Sequence, residues 1–202
     1  MTEDNQMGTQ EQSKPFRVLF RLEDITSSFW TILIGLIGAV LFMAFSTLSM
    51  PFLAISLFKF GILPTIVIIA LVGAFRGPFS GFLAGYIGVA VGDLLLHSTI
   101  VSFTLQGIAY GLMGLVVGLS SYNFATGRSL AKLSILSLVG LVLTALLLVV
   151  VGIVVEGYSV LVGIGFVLLP MLTQGIPTVL LLVPVSARVI HAAELKALPT
   201  GS

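Results

Sequence analysis

Apolar residues fill this chain in six long blocks, at about residues 28–47, 62–75, 79–96, 103–121, 130–155 and 159–189. Polar, glycine- or proline-bearing breaks separate them. A hydrocarbon core about 30 Å thick takes about 20 helical residues, so the pattern predicts an all-α integral membrane bundle of six transmembrane helices. The second block is short and carries Pro64 near its start, after a mixed stretch at 49–61 that holds Pro51 and Lys59 and is predicted as a loop. Arg76-Gly77-Pro78 predicts a tight turn, with Pro78 suited to the first turn of the next helix. The sixth block has Pro170, Pro177 and Pro184 at intervals of seven, a spacing that stacks them on one helix face and bends the helix towards one side.

The third and fourth blocks share a glycine ruler. Gly81, Gly85, Gly88 and Gly92 repeat the four-three-four spacing of Gly107, Gly111, Gly114 and Gly118. At about 100° per residue each set falls within an arc of roughly 60°. Glycine costs a water-exposed helix roughly 1 kcal/mol per site. In a bilayer, backbone hydrogen bonds are enforced and a smooth glycine face lets helices touch backbone to backbone. The rulers therefore predict closely packed neighbours.

Composition agrees. The 202 residues are 57% hydrophobic and 8% charged, against about 25% charged in a soluble domain, and mean hydropathy is +1.19. A net charge of +1 gives no footprint for nucleic acid. The absence of cysteine excludes disulfides, thiolate metal sites and cysteine nucleophiles. Basic residues set the expected orientation. With both termini cytoplasmic, Lys14, Arg17, Arg21, Arg76, Arg128, Lys132, Arg188 and Lys196 all lie inside, and Lys59 alone of the nine lies outside. The expected division is a cytoplasmic tail at 1–24, a six-helix transmembrane domain at 25–190 and a cytoplasmic tail at 191–202. Phe29 and Trp30 read as an interfacial anchor.

A sparse polar set remains for the outer side: Lys59, Asp93, His97, Gln106, Tyr110, Glu156 and Tyr158, with Gln174 deeper among the prolines. Ionisable groups at membrane depth are costly and by default functional, although those near the interface can snorkel. Asp93 and His97, four apart, read as a helix-end hydrogen-bonding pair; His191, the other histidine, lies at the far side and leaves a metal short of ligands. Gln106 and Tyr110, also four apart, are placed either to grip a heteroaromatic ring or to bond a neighbouring helix. Lys59 either closes over cargo or snorkels, Glu156 either meets an amine or is a solvated loop acid, and Gln174 is placed to satisfy carbonyls freed by the prolines.

The segments Phe60-Gly-Ile-Leu-Pro-Thr65, Val72 through Gly88, Gly92-Asp93-Leu-Leu and Phe103 through Gly118 together resemble the substrate-binding S components of energy-coupling factor (ECF) vitamin transporters, of the riboflavin and hydroxymethylpyrimidine branch. The resemblance implies a multi-pass protein of a prokaryotic plasma membrane. It would capture a small vitamin or precursor outside, with no cofactor of its own, beside a transmembrane scaffold and two cytoplasmic ATPases. The chain has no phosphate-binding loop ending in Lys-Ser or Lys-Thr, so it is not expected to be an enzyme, and ATP hydrolysis falls to the partners. Family members bind with the outer halves of spans four to six and the odd-numbered loops. Mapped onto polar positions here, this implies Lys59, His97, Gln106, Tyr110, Glu156 and Tyr158 as substrate contacts, beneath a lid at 49–61. An Ala-x-x-x-Ala pair docks the scaffold in the family; its nearest counterpart is Gly35 with Ala39. The alternative is a secondary transporter or channel working alone, against which stand the lack of inverted broken-helix repeats and of mid-span charges.

Overall fold

The computed structural model describes residues 25–46, 50–55, 58–97 and 103–197. Within them lie six helices and one hairpin: α1 (Ile25–Ser46), β1 (Met50–Ile55), β2 (Phe58–Ile62), α2 (Pro64–Arg76), α3 (Pro78–His97), α4 (Phe103–Gly118), α5 (Gly127–Val154) and α6, continuous over 160–197. Each of the six apolar blocks is a helix. Four of them (α1, α3, α5 and α6) are long and apolar enough to cross a bilayer. Their outer surfaces carry large apolar side chains such as Val40, Ile135, Val154 and Leu161, the last 83% exposed. Water does not tolerate so continuous an apolar surface; this is a multi-pass membrane protein. The predicted tail at 1–24 lies outside the described residues, and α6 carries on through most of the tail assigned to 191–202.

Helix directions follow from who meets whom. Gly35 lies beside Leu83 and Gly88 beside Phe42, so α1 and α3 run parallel. Gly81 lies beside Gly114 and Gly118 beside Pro78, so α3 and α4 run antiparallel; Gly140 beside Met113 and Gly175 beside Leu141 continue the alternation through α5 and α6. The start of α1 and the end of α6 therefore share one end of the bundle, the termini end, and the hairpin lies at the other.

The two glycine rulers meet. A Cβ placed on Gly81 would sit 2.5 Å from the Gly114 carbonyl oxygen, and one on Gly85 would sit 2.6 Å from the Tyr110 carbonyl carbon. These neighbours are backbone and cannot rotate away. The upper part of the first ruler serves a different helix: Gly88 accommodates the Phe42 ring of α1, while Gly92 has only Met43 at 3.9 Å. Between α4 and α5 the buried Thr144 hydroxyl lies 2.8 Å from the Ala109 carbonyl and 2.9 Å from that of Gly140, sharing its proton between them.

The stretch expected as a loop is an antiparallel hairpin, paired from Met50–Ile62 to Ile55–Phe58 with a register shift between Pro51 and Leu53. Proline lacks the ladder N–H, and a shift of register is where a strand tolerates it. The hairpin precedes a helix of 13 residues, which covers only about 20 Å. β2 packs on the Leu169–Pro177 stretch of α6. The Leu63 N–H at the start of α2 donates to Thr178 Oγ1 at 3.0 Å, and that hydroxyl donates to the Gln174 carbonyl at 2.7 Å. Helix and hairpin are thus pinned to α6 where it passes its middle proline.

α6 absorbs its prolines by widening. Two π-helical stretches, Gly163–Leu168 and Thr178–Leu182, each end two residues before a proline, Pro170 and Pro184. A proline ring clashes with the carbonyl four residues back and offers it no N–H; a five-residue bonding pattern relieves both. The wide turn at Thr178–Leu182 lies between Pro177 and Pro184 and interrupts the regular α-helical turn there. The side-chain hydroxyls on backbone carbonyls here are those of Thr173, 2.9 Å from Leu169 O, and of Thr178.

Of the two residues named for docking on α1, Gly35 is buried against Leu83 and Ser80 of α3, and Ala39 is 4% exposed.

Gly114→Ala is expected to lower stability by at least about 1–3 kcal/mol, the usual cost of overpacking a tight core, read as loss of thermal stability in detergent. Gly127→Ala, where an added methyl meets nothing within 4 Å, is expected to leave it unchanged or slightly raised.

Candidate ligand site at the hairpin end

Where α3 rises above its contact with α4, its face carries no side chain at Gly88 and Gly92, and the helices beside it part. The space between them is a cavity of about 240 Å³, lined by Phe42 and Ser46 from α1, Leu63 and Thr65 at the start of α2, Gly88, Val89, Gly92 and Asp93 from α3, and Tyr110 from α4. The Phe42 and Tyr110 rings meet edge to face at 5.5 Å and form one apolar wall. Asp93 is half-buried with its Oδ2 shielded from solvent, and Thr65 is buried. The lining thus combines one aromatic corner with a carboxylate, a phenol and two hydroxyls. Such a mixture of apolar walls and few convergent polar groups is what orients a small ligand.

Of the substrate contacts implied by resemblance, Tyr110 lies in this cavity. Gln106, Glu156 and Tyr158 gather elsewhere. Gln106 Nε2 donates to Glu156 Oε1 at 2.8 Å, tying the first turns of α4 to the α5–α6 turn. Gly157, at φ +71°, makes that turn possible. Tyr158 N–H donates to the Gly152 carbonyl at 2.9 Å, and its ring covers Gly152, where a Cβ would come within 2.9 Å. The Tyr158 hydroxyl bonds the Glu156 carboxylate; that bond first, and the acid's negative charge second, hold the phenol above its ordinary pKa. The Gln106 amide thus bonds the α5–α6 turn, and the Tyr110 ring meets Phe42. Lys59 lies on β2 and His97 ends α3, but their side chains fall outside the described residues, as does any bond between His97 and Asp93.

The cavity differs from the sequence expectation in its walls. Spans four to six were expected to enclose it; α1, α2, α3 and α4 do. Phe42, Ser46, Thr65 and Gly92 are not among the contacts that the resemblance implies. Gly92 left one trace, since it ends a packing ruler directly before the only acid in its block.

No protein-family model matches the chain, and no curated protein or solved structure shows significant similarity to it.

Glu156→Gln is expected to bring the Tyr158 phenol down towards the ordinary value near 10. The check is an alkaline titration of phenolate absorbance, with Tyr158→Phe used to assign the transition. The untouched protein should begin to ionise this tyrosine at higher pH than the variant.

Proposed function

We propose that the chain is the membrane-embedded substrate-capture subunit of an ATP-driven ECF-type importer, binding a small vitamin or vitamin precursor in the cavity at the hairpin end. The carrying observation is that cavity, a space at the hairpin end of an apolar bundle, bordered by a carboxylate, a phenol and two hydroxyls. α2 is too short to cross alone, and in this reading the hairpin and α2 together make the second of six crossings. A hairpin has open edges, and unpaired backbone groups at membrane depth persist only where protein or a wet cavity covers them. A water-reachable vestibule on this side satisfies that demand.

Orientation follows from charge. Arg76, Arg128, Lys132, Arg188 and Lys196 belong to the termini end, and the positive-inside rule makes that end cytoplasmic. The hairpin end then opens outwards, in the plasma membrane of a prokaryote. With no nucleotide-binding loop in the chain, energy comes from a transmembrane scaffold and two cytoplasmic ATPases.

Volume and charge narrow the cargo. Ligand pockets for drug-sized molecules run from about 300 to 1,000 Å³; at about 240 Å³ this one suits a single ring, of pyrimidine size, and not a multi-ring vitamin. Among the described lining residues there is a carboxylate and no cation. A ring bearing N–H donors or a positive charge pairs with Asp93, whereas a carboxylate or phosphate ester would be repelled.

The test is thermal-shift and native mass spectrometry of purified protein against a panel of vitamins and precursors. A neutral or cationic single-ring compound should stabilise the protein. Asp93→Asn should weaken that ligand at least about tenfold, the scale of one charge-assisted hydrogen bond. Gly92→Leu should abolish its binding while the bundle stays folded, because the new side chain enters open space. Affinity capture from native membranes should bring down a scaffold and ATPases; uptake that continues without them would favour a stand-alone transporter.

A further inference from the structure

A second space opens at the opposite end of the bundle, and the reading above makes no use of it. It is an open groove of about 840 Å³ between the α4–α5 connection and the first turns of α5. Two cations, Arg128 and Lys132, line it together with Asn123 and Ser129; among the described residues no acid does. Farther along α5 the lining becomes apolar at Ala131, Ile135 and Leu136. Arg128, Lys132 and Leu136 follow one another at intervals of four, so they form a stripe along one helix face. Charge stands at the end of that stripe, and hydrocarbon follows towards the middle of a membrane-crossing helix.

The groove is built before anything enters it. Arg188 of α6 donates to the Ala125 carbonyl at 2.7 Å and fixes the connection to the last helix. Asn123 N–H donates to Ser129 Oγ at 2.8 Å, and Asn123 Oδ1 accepts from the Ala125 N–H at 3.1 Å. The Tyr122 hydroxyl donates to the Val117 carbonyl at 2.6 Å, and its ring lies 5.9 Å below the Lys132 ammonium. Lys132 is therefore steered over a fixed ring while its donors stay open.

We infer that this groove is a binding site for an anionic phospholipid of the adjacent leaflet, its phosphate held by Arg128 and Lys132 and one acyl chain lying along Ile135 and Leu136. Charge complementarity and the lengthwise order of the lining argue for that occupant. A free phosphate ion would leave the apolar half bare. A soluble protein could not follow α5 into the hydrocarbon, where Ile135 is 60% exposed. The inference needs only a membrane-embedded α5 and stands apart from the proposed transport role.

The experiment is native mass spectrometry of the full chain released from nanodiscs of equal phosphatidylglycerol and phosphatidylcholine, with thermal stability measured in parallel. Phosphatidylglycerol should be retained in preference. Basic residues near an anionic surface act additively, so Arg128→Gln with Lys132→Gln should cut that preference about thirtyfold. Ala131→Trp keeps both cations but fills the groove, and should cut it as well. Lys196→Gln removes a cation from the same end outside the groove and should leave it intact. Equal retention by the double variant, an equal loss with Lys196→Gln, or matching stabilisation by inorganic phosphate alone would each overturn the assignment.

Discussion

The bundle depends on two helices touching through their backbones. At the α3–α4 contact neither side can hold even a methyl group: Gly81 faces Gly114, Gly85 faces Tyr110 and Gly111, and Gly118 rests on Pro78. In lipid the hydrophobic effect gives helices no reason to associate, because lipid tails are as apolar as leucine. What remains is close packing, and the closest packing comes from surfaces without side chains. α3 also carries α1 on its Gly35-facing side, and α4 carries α5 through Thr144 and Met113. Remove the α3–α4 seam and the parts on each side of it lose their common reference.

The cavity is a by-product of the same economy. A glycine face that is pressed against a neighbour makes a seam; where the neighbour departs, it makes a void. Gly81 and Gly85 fall in the first case and Gly92 in the second, on one face of one helix. The void acquires polarity because Asp93 follows Gly92, and because α2 begins late enough to bring Thr65 beside it. At that start the Leu63 N–H is held by Thr178 of α6, and Pro64 opens the helix.

Much of this architecture could be read from the chain because bilayers impose simple rules. All six apolar blocks are helices, with ends shifted by at most a turn or two, save that α6 runs on to Ala197. The rulers identified the seam because only close approach justifies eight glycines at helical spacing. The hairpin was hidden: Met50, Phe52, Leu53, Ala54 and Ile55 are apolar in succession, so no alternation marks a strand. The cavity was hidden for another reason. Its lining joins residues from Phe42 to Tyr110 across four helices, and spacing along a single helix carries no information about which faces meet. Gln106 and Glu156, fifty positions apart, were each visible as polar outliers, but their bond to each other was not.

That bond changes what polarity in a membrane protein implies. An amide or carboxylate at membrane depth is costly unless satisfied, and two such groups can satisfy one another without any ligand. Gln106 and Glu156 do so, and the cost that made them conspicuous is offset inside the protein. Arg188 follows the same logic at the other end, where its guanidinium bonds the Ala125 carbonyl. Some conspicuous polar groups thus bond across the fold, and others border open space. At the hairpin end Asp93 and Tyr110 border a cavity, and at the termini end Arg128 and Lys132 border a groove. The two spaces carry opposite charge and lie at opposite ends of one rigid seam. Neither space is lined by Gly81, Gly85, Gly111 or Gly114, the glycines at which α3 and α4 touch.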